Sequence, residues 1–91
     1  MNNLREFEEK VLEAYQYLVC GYTGKSQVAL AEVYQQLLTL TEQLPEEKLQ
    51  YLSKLLTIME NAQQTGDMIY LADILRFEVL KFLHEQFAQN L

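Results

Sequence analysis

Apolar residues return at three- and four-residue steps along most of this chain, and that spacing predicts four helices. Over 3–20, Leu4, Phe7, Val11, Ala14, Tyr15 and Leu18 form one stripe, with Glu6, Glu9 and Glu13 on the opposite face. Asn2 or Asn3 is placed to cap the start, where the early glutamates suit the positive end of the helix dipole. Gly21 stands where a left-handed terminating residue is wanted. A second helix is expected over 26–43, capped by Ser26 or Thr23. Its stripe is Leu30, Val33, Leu37, Leu40 and Leu44, widened by Tyr34 and Leu38.

Leu44-Pro45-Glu46-Glu47 reads as a stop and restart, because proline is tolerated at a first helical position. The alternative is a kink within one long helix. The third helix, over about 45–64, carries two adjoining stripes: Leu49, Leu52, Leu56 and Met59, then Tyr51, Leu55, Ile58 and Ala62. An apolar arc that wide calls for two helical neighbours. Thr65-Gly66-Asp67 is a hinge short enough to force the next helix antiparallel, with Gly66 closing one helix and Asp67 capping the other.

The fourth helix, from Asp67 onward, is apolar on nearly every side. Met68, Leu71, Ala72, Leu75, Val79, Phe82 and Leu83 form its main face. Ile69, Leu80 and Phe87 form one flank, and Tyr70, Ile74 and Phe77 another. A helix of this kind expects cover on more than one face, so it sits mid-bundle or meets a second chain. Asp73 with Arg76, and Glu78 with Lys81 and Glu85, have the spacing of helical ion pairs. Such pairs would ease burial of the polar members.

The fold expected is therefore all-α, a single domain over 1–91, built as a four-helix up-down-up-down bundle. Composition agrees. The 91 residues are 49% hydrophobic, with three glycines and one proline, so long irregular segments have little place. The formal charge of −6 argues against nucleic acid, where cations must displace counterions from phosphates, and against an anionic membrane surface. Cys20 is the single cysteine, which excludes an internal disulfide and suits a reducing cytoplasm. The acidic beginning is unlike a signal peptide, and no stretch approaches the ~20 apolar residues of a membrane span.

Catalytic chemistry finds little support. Gly24-Lys25-Ser26 has the ending of a phosphate-binding loop, but Val19 occupies the position of the first glycine and a helix precedes it instead of a strand. His84 is the lone histidine, and Lys81 stands where a Glu-x-x-His pair needs its acid, so a metal centre lacks ligands. Cys20 lies at a helix C-terminus, the end that does not activate a thiol. We expect no enzyme, cofactor or metal. The six tyrosines suit core edges or the rim of an interface, and Tyr17 projects towards the glutamate side of the first helix.

The segment from Asp67 to Glu78 resembles the pattern D-x-x-x-L-A-D-x-L-x-[YF]-E of small helical proteins and domains of Gram-positive bacteria. Asp67, Leu71, Ala72, Asp73, Leu75, Phe77 and Glu78 carry the match. The resemblance implies a bacterial cytoplasmic helical domain and assigns no activity. In size, acidity and helical content the chain is also similar to flagellar-type secretion chaperones. The expectation is a protein-interaction module, homodimeric through Ile69, Tyr70, Ile74, Phe77, Leu80 and Phe87 of the last helix together with Tyr17. The alternatives are a chaperone that holds another helical protein's amphipathic helix, or a small-molecule or anion-binding protein lined by Asp73, Arg76, Glu78 and His84.

Overall fold

Two glycines in the left-handed region decide where the helices turn back. In the computed structural model, which describes residues 3–87 and the side chains of 4–86, α1 (Asn3–Cys20) ends at Gly21 with φ +77°. The Tyr22 N–H then reaches the Tyr17 carbonyl at 2.9 Å. α3 (Glu46–Thr65) ends the same way at Gly66, φ +76°, with Asp67 N–H donating to the Ala62 carbonyl. A residue with a Cβ is strained in this conformation, and the six-to-one bond satisfies a carbonyl that the helix end would leave bare. Asp67 caps the next helix, its carboxylate accepting from the Tyr70 N–H at 3.2 Å. The Asn2 and Asn3 caps expected for α1 lie outside the described side chains.

α2 (Thr23–Leu40) begins earlier than its apolar stripe suggests. Neither expected cap holds its start. Tyr22 occupies the capping position with no side-chain bond, and Thr23 is already helical. Ser26 is buried, and its hydroxyl donates to the Thr23 carbonyl. Only Gly21 and Tyr22 separate α1 from α2, so Gly24-Lys25-Ser26 is the first turn of a helix and not a loop. After α2 a 3-10 turn, Thr41–Gln43, leads into extended backbone at Leu44 and Pro45. The Leu44-Pro45 junction is thus a true break between helices.

The last helix, α4 (68–87), is α-helical over Met68–Asp73, π-helical over Ile74–Val79 and α-helical again over Leu80–Phe87. In the π segment the Leu80 N–H donates to the Leu75 carbonyl, five residues back. Wider turns carry more residues per revolution. Here Ile74 and Leu75 both face inward, while the consecutive Arg76, Phe77 and Glu78 face out.

Side-chain contacts fix the directions of the helices. Lys10 of α1 pairs with Glu32 of α2 at 3.4 Å, and Tyr34 of α2 bonds Gln63 of α3. Tyr51 near the start of α3 stacks on Phe82 near the end of α4. Glu8 and Tyr15 of α1 meet His84 and Arg76 of α4. Glu8 and Tyr15 meet His84 and Arg76 in reverse order, so α4 runs antiparallel to α1, and early Tyr51 against late Phe82 makes it antiparallel to α3. With the two-residue turn folding α2 back on α1, the topology is up-down-up-down. α1 packs closely on α2 and α4, and α3 on α4; α2 and α3 are the loosest neighbours. The shortest extent of 19 Å corresponds to two helix layers of about 10 Å.

The core lies between these layers. Val11, Val33, Leu37, Leu52, Met59, Leu71, Leu75, Val79 and Leu83 are completely buried. The main stripe of every helix points there, because only that face of each helix can be removed from water. No helix among the described residues is long and apolar enough to cross a membrane.

Candidate functional site

α3 and α4 leave an open groove of about 440 Å³ between them, at the level of the π turn. Its α3 wall consists of Tyr51, Lys54, Leu55 and Ile58, spaced i, i+3, i+4, i+7. Its α4 wall consists of Tyr70, Asp73, Ile74, Phe77 and Glu78, which continues the same spacing by one residue. Residues three and four apart share a helix face, so each wall is one continuous strip of its helix. Leu55 and Ile74 form the buried floor. Tyr51, Ile58, Tyr70 and Phe77 stand exposed around it, Phe77 the most at 61%. Several large apolar side chains clustered in one concavity mark an interaction surface far better than the same residues scattered singly.

Charged groups border this apolar surface. The Tyr51 hydroxyl donates to Glu78 Oε1 at 3.2 Å across the groove, and its ring stacks on Phe82 with centroids 5.6 Å apart. Partial shielding from water, then the nearby charge of Glu78 and its hydrogen bond, then Glu85, push the Tyr51 phenol above its ordinary pKa. The electrostatic part of that shift means that the Tyr51 end of the groove is negative. Lys54 stands on the α3 wall and Asp73 on the α4 wall. The ion pairs expected within α4 do not form. Arg76 lies over the Tyr15 ring at 5.4 Å and the Phe77 ring at 5.8 Å, and Glu78 is taken by Tyr51. Asp73, Arg76, Glu78 and Lys81 are all exposed, so no burial has to be offset.

Of the interface residues expected from sequence, Tyr70, Ile74 and Phe77 come together in this groove. Ile74 belongs to its floor and not to a free surface, since the π turn rotates it into the core at 4% exposure. Ile69 is 61% exposed but lies outside the groove. Leu80 and Tyr17 pack against the core. Tyr17 is set beside Tyr22, ring centroids 6.2 Å apart, with the Lys25 ammonium 5.8 Å from its own ring centre and 5.5 Å from that of Tyr22. The Phe87 side chain lies outside the described residues. Sequence reasoning missed the α3 wall as part of the site, although the second stripe of α3 was the signal for it.

The remaining chemistry-bearing residues are dispersed. Glu8 Oε2 is shielded from water, and His84 Nε2 is its close partner. This contact joins the start of α1 to the end of α4, and His84 is not part of the groove lining. Cys20 is exposed. Among the described residues, no group of three or more His, Cys, Asp or Glu side chains is gathered so as to hold a metal ion. Asp73, Arg76, Glu78 and His84 therefore do not form one polar pocket. Asp73 and Glu78 face the groove, Arg76 covers Tyr15, and His84 pairs with Glu8.

Tyr34 reports on the loose α2–α3 seam. Its hydroxyl donates to Gln63 Oε1 at 3.1 Å, and burial, followed by the charge of Glu60, raises its pKa from 10.0 to about 12. A phenol whose pKa is higher in the fold than in the unfolded chain adds stability that is intact below pH 10 and lost as the pH climbs towards 12. The expected result is a fall in denaturant stability between pH 10 and 12 that is shallower in Tyr34→Phe. A titration followed at 295 nm should lose its last phenol step in the same variant. Equal pH slopes for the two proteins would mean that the Tyr34 hydroxyl is freely solvated.

No protein-family model matches this chain, and neither a curated protein nor a solved structure does.

Proposed function

We propose that this chain is a non-enzymatic protein-interaction module that self-associates through the α3–α4 groove. The observation that carries this reading is Phe77, a large aromatic side chain left 61% exposed beside a ready-made apolar concavity. Burying such a ring releases on the order of 2 kcal/mol, and a helix laid into a groove uses anchors at the i, i+3, i+4, i+7 spacing that both walls display. The reading sets the protein in a reducing cytoplasm, in keeping with the free Cys20. Its acidity turns it away from nucleic acid and anionic lipid.

The deciding measurement is light scattering after size exclusion, from about 1 to several hundred µM protein. Self-association gives a mass that rises with concentration to twice the chain mass. A constant single-chain mass across that range sinks it.

A second reading, a chaperone that holds another protein's amphipathic helix, is favoured by the negative charge that Glu78 and Glu85 place around Tyr51. Such a helix would be basic beside its apolar face. It is the reading to pursue if the purified chain proves monomeric.

A further inference from the structure

We infer that two copies of this chain pair face to face across the α3–α4 groove, about a two-fold axis parallel to those helices. In this arrangement Lys54 of each copy lies against Asp73 and Glu78 of the other. The inference rests on the self-association reading and adds the orientation and the polar contacts that select it.

The groove is charged asymmetrically. Its cation, Lys54, is on the α3 wall, and its anions, Asp73 and Glu78, are on the α4 wall. The side-chain pairs of Lys10 with Glu32 and of Glu8 with His84 involve none of these three residues. Lys54 and Asp73 therefore face one concavity with opposite charges and without joining in a pair. Glu78 gives one oxygen to Tyr51 and keeps the other free for a donor.

A closed dimer uses the same patch on both copies. An axis parallel to the helices preserves height along the groove and exchanges the walls, so α3 of one copy covers α4 of the other. Each lysine then meets the two acids at its own level. An axis lying in the same plane but across the helices sets α3 on α3 and α4 on α4, which opposes acid to acid. Each copy carries a formal charge of −6. Association of like-charged copies favours the orientation that opposes cation to anion, because like charges brought together across an interface are costly. Phe77 of each copy then rests over the Tyr51 and Leu55 side of its neighbour and closes the apolar centre inside the charged rim. That is the ordinary layout of a protein interface.

A charge exchange tests the orientation. Lys54→Glu makes one variant, and Asp73→Lys with Glu78→Lys makes the other. All three positions are exposed, so the helical circular dichroism of both should match the parent. Each variant alone should dimerise about 10-fold or more weaker than the parent, since each homodimer opposes like charges at two symmetric places. Mixed in equal amounts, they should form a heterodimer of parental affinity, read by native mass spectrometry on one tagged and one untagged copy. If the parent dimerises and the separate variants do so equally well, or if mixing restores nothing, the orientation is overturned while self-association stands. If the parent is monomeric throughout, self-association falls and the orientation falls with it.

Discussion

Leu75→Ala is expected to lower the free energy of unfolding by about 3 kcal/mol, within the range for emptying a fully buried leucine site. Leu75→Asp should leave the chain unfolded at 25 °C. The side chain of Leu75 is completely buried, and its carbonyl takes the π-type bond from the Leu80 N–H. A domain of this size has total stability on the order of 5–14 kcal/mol, so the alanine variant gives up a substantial share of it. The void would open beside α1, the helix against which the π turn packs. Urea unfolding followed by circular dichroism, at one fixed protein concentration, measures the effect; fixing the concentration keeps any dimer from contributing unequally. A loss well under 1 kcal/mol would show that the turn relaxes and refills the space, and would remove Leu75 from the residues that hold α4 in place.

The helices were legible because one physical demand dominates them. Each has a face that must leave water, and burial falls on that face: Phe7, Val11, Ala14 and Leu18 in α1, and Leu71, Ala72, Leu75, Val79, Phe82 and Leu83 in α4. Gly21, Gly66 and Asp67 could be read in advance for another reason. Their roles are local, requiring only a backbone free to take positive φ or a carboxylate one turn from a bare N–H. The start of α2 was misjudged because helix formation there is decided by the two-residue turn behind it. No apolar stripe marks Thr23 and Gly24, and the hydroxyls that looked like caps bond elsewhere or nowhere.

The π turn explains why the site was only half legible. A uniform helical period places Ile74 on the same flank as Tyr70 and Phe77, all three equally available to a partner. The wider turn moves Ile74 to the floor and leaves Phe77 standing out. Nothing in the local residue types announces that turn. The α3 wall was hidden for a different reason. Tyr51 and Ile58 satisfy a helical stripe as well as any core residue does, and their 45% and 40% exposure follows from where α4 crosses, a tertiary fact. The surplus of apolar side chains on α4 leaves Ile69, Tyr70 and Phe77 exposed, yet only the fold could say that the apolar concavity is shared with α3.

Phe77→Asp and Ile74→Asp, adjacent on the groove wall, should therefore part company. Phe77→Asp is expected to keep the helical circular dichroism and to melt within a few degrees of the parent, because the ring already faces water. Its dimer should weaken by roughly 30-fold or more, the effect of losing an aromatic anchor worth about 2 kcal/mol at an interface centre. A carboxylate put into that centre adds a further desolvation cost. Ile74→Asp instead places an unpaired charge at a site only 4% exposed and should unfold the chain. Leu80→Asp falls between them, since Leu80 packs partly against the core, and it should lose stability before it changes association. Scattering mass and circular dichroism taken on the same samples separate the three. If Phe77→Asp unfolds, the ring is part of the core and the groove is no docking surface. If it folds and still dimerises at the parental affinity, the contact lies on another face, where Ile69 of α4 and Val28 and Leu38 of α2 are the exposed apolar side chains to test next.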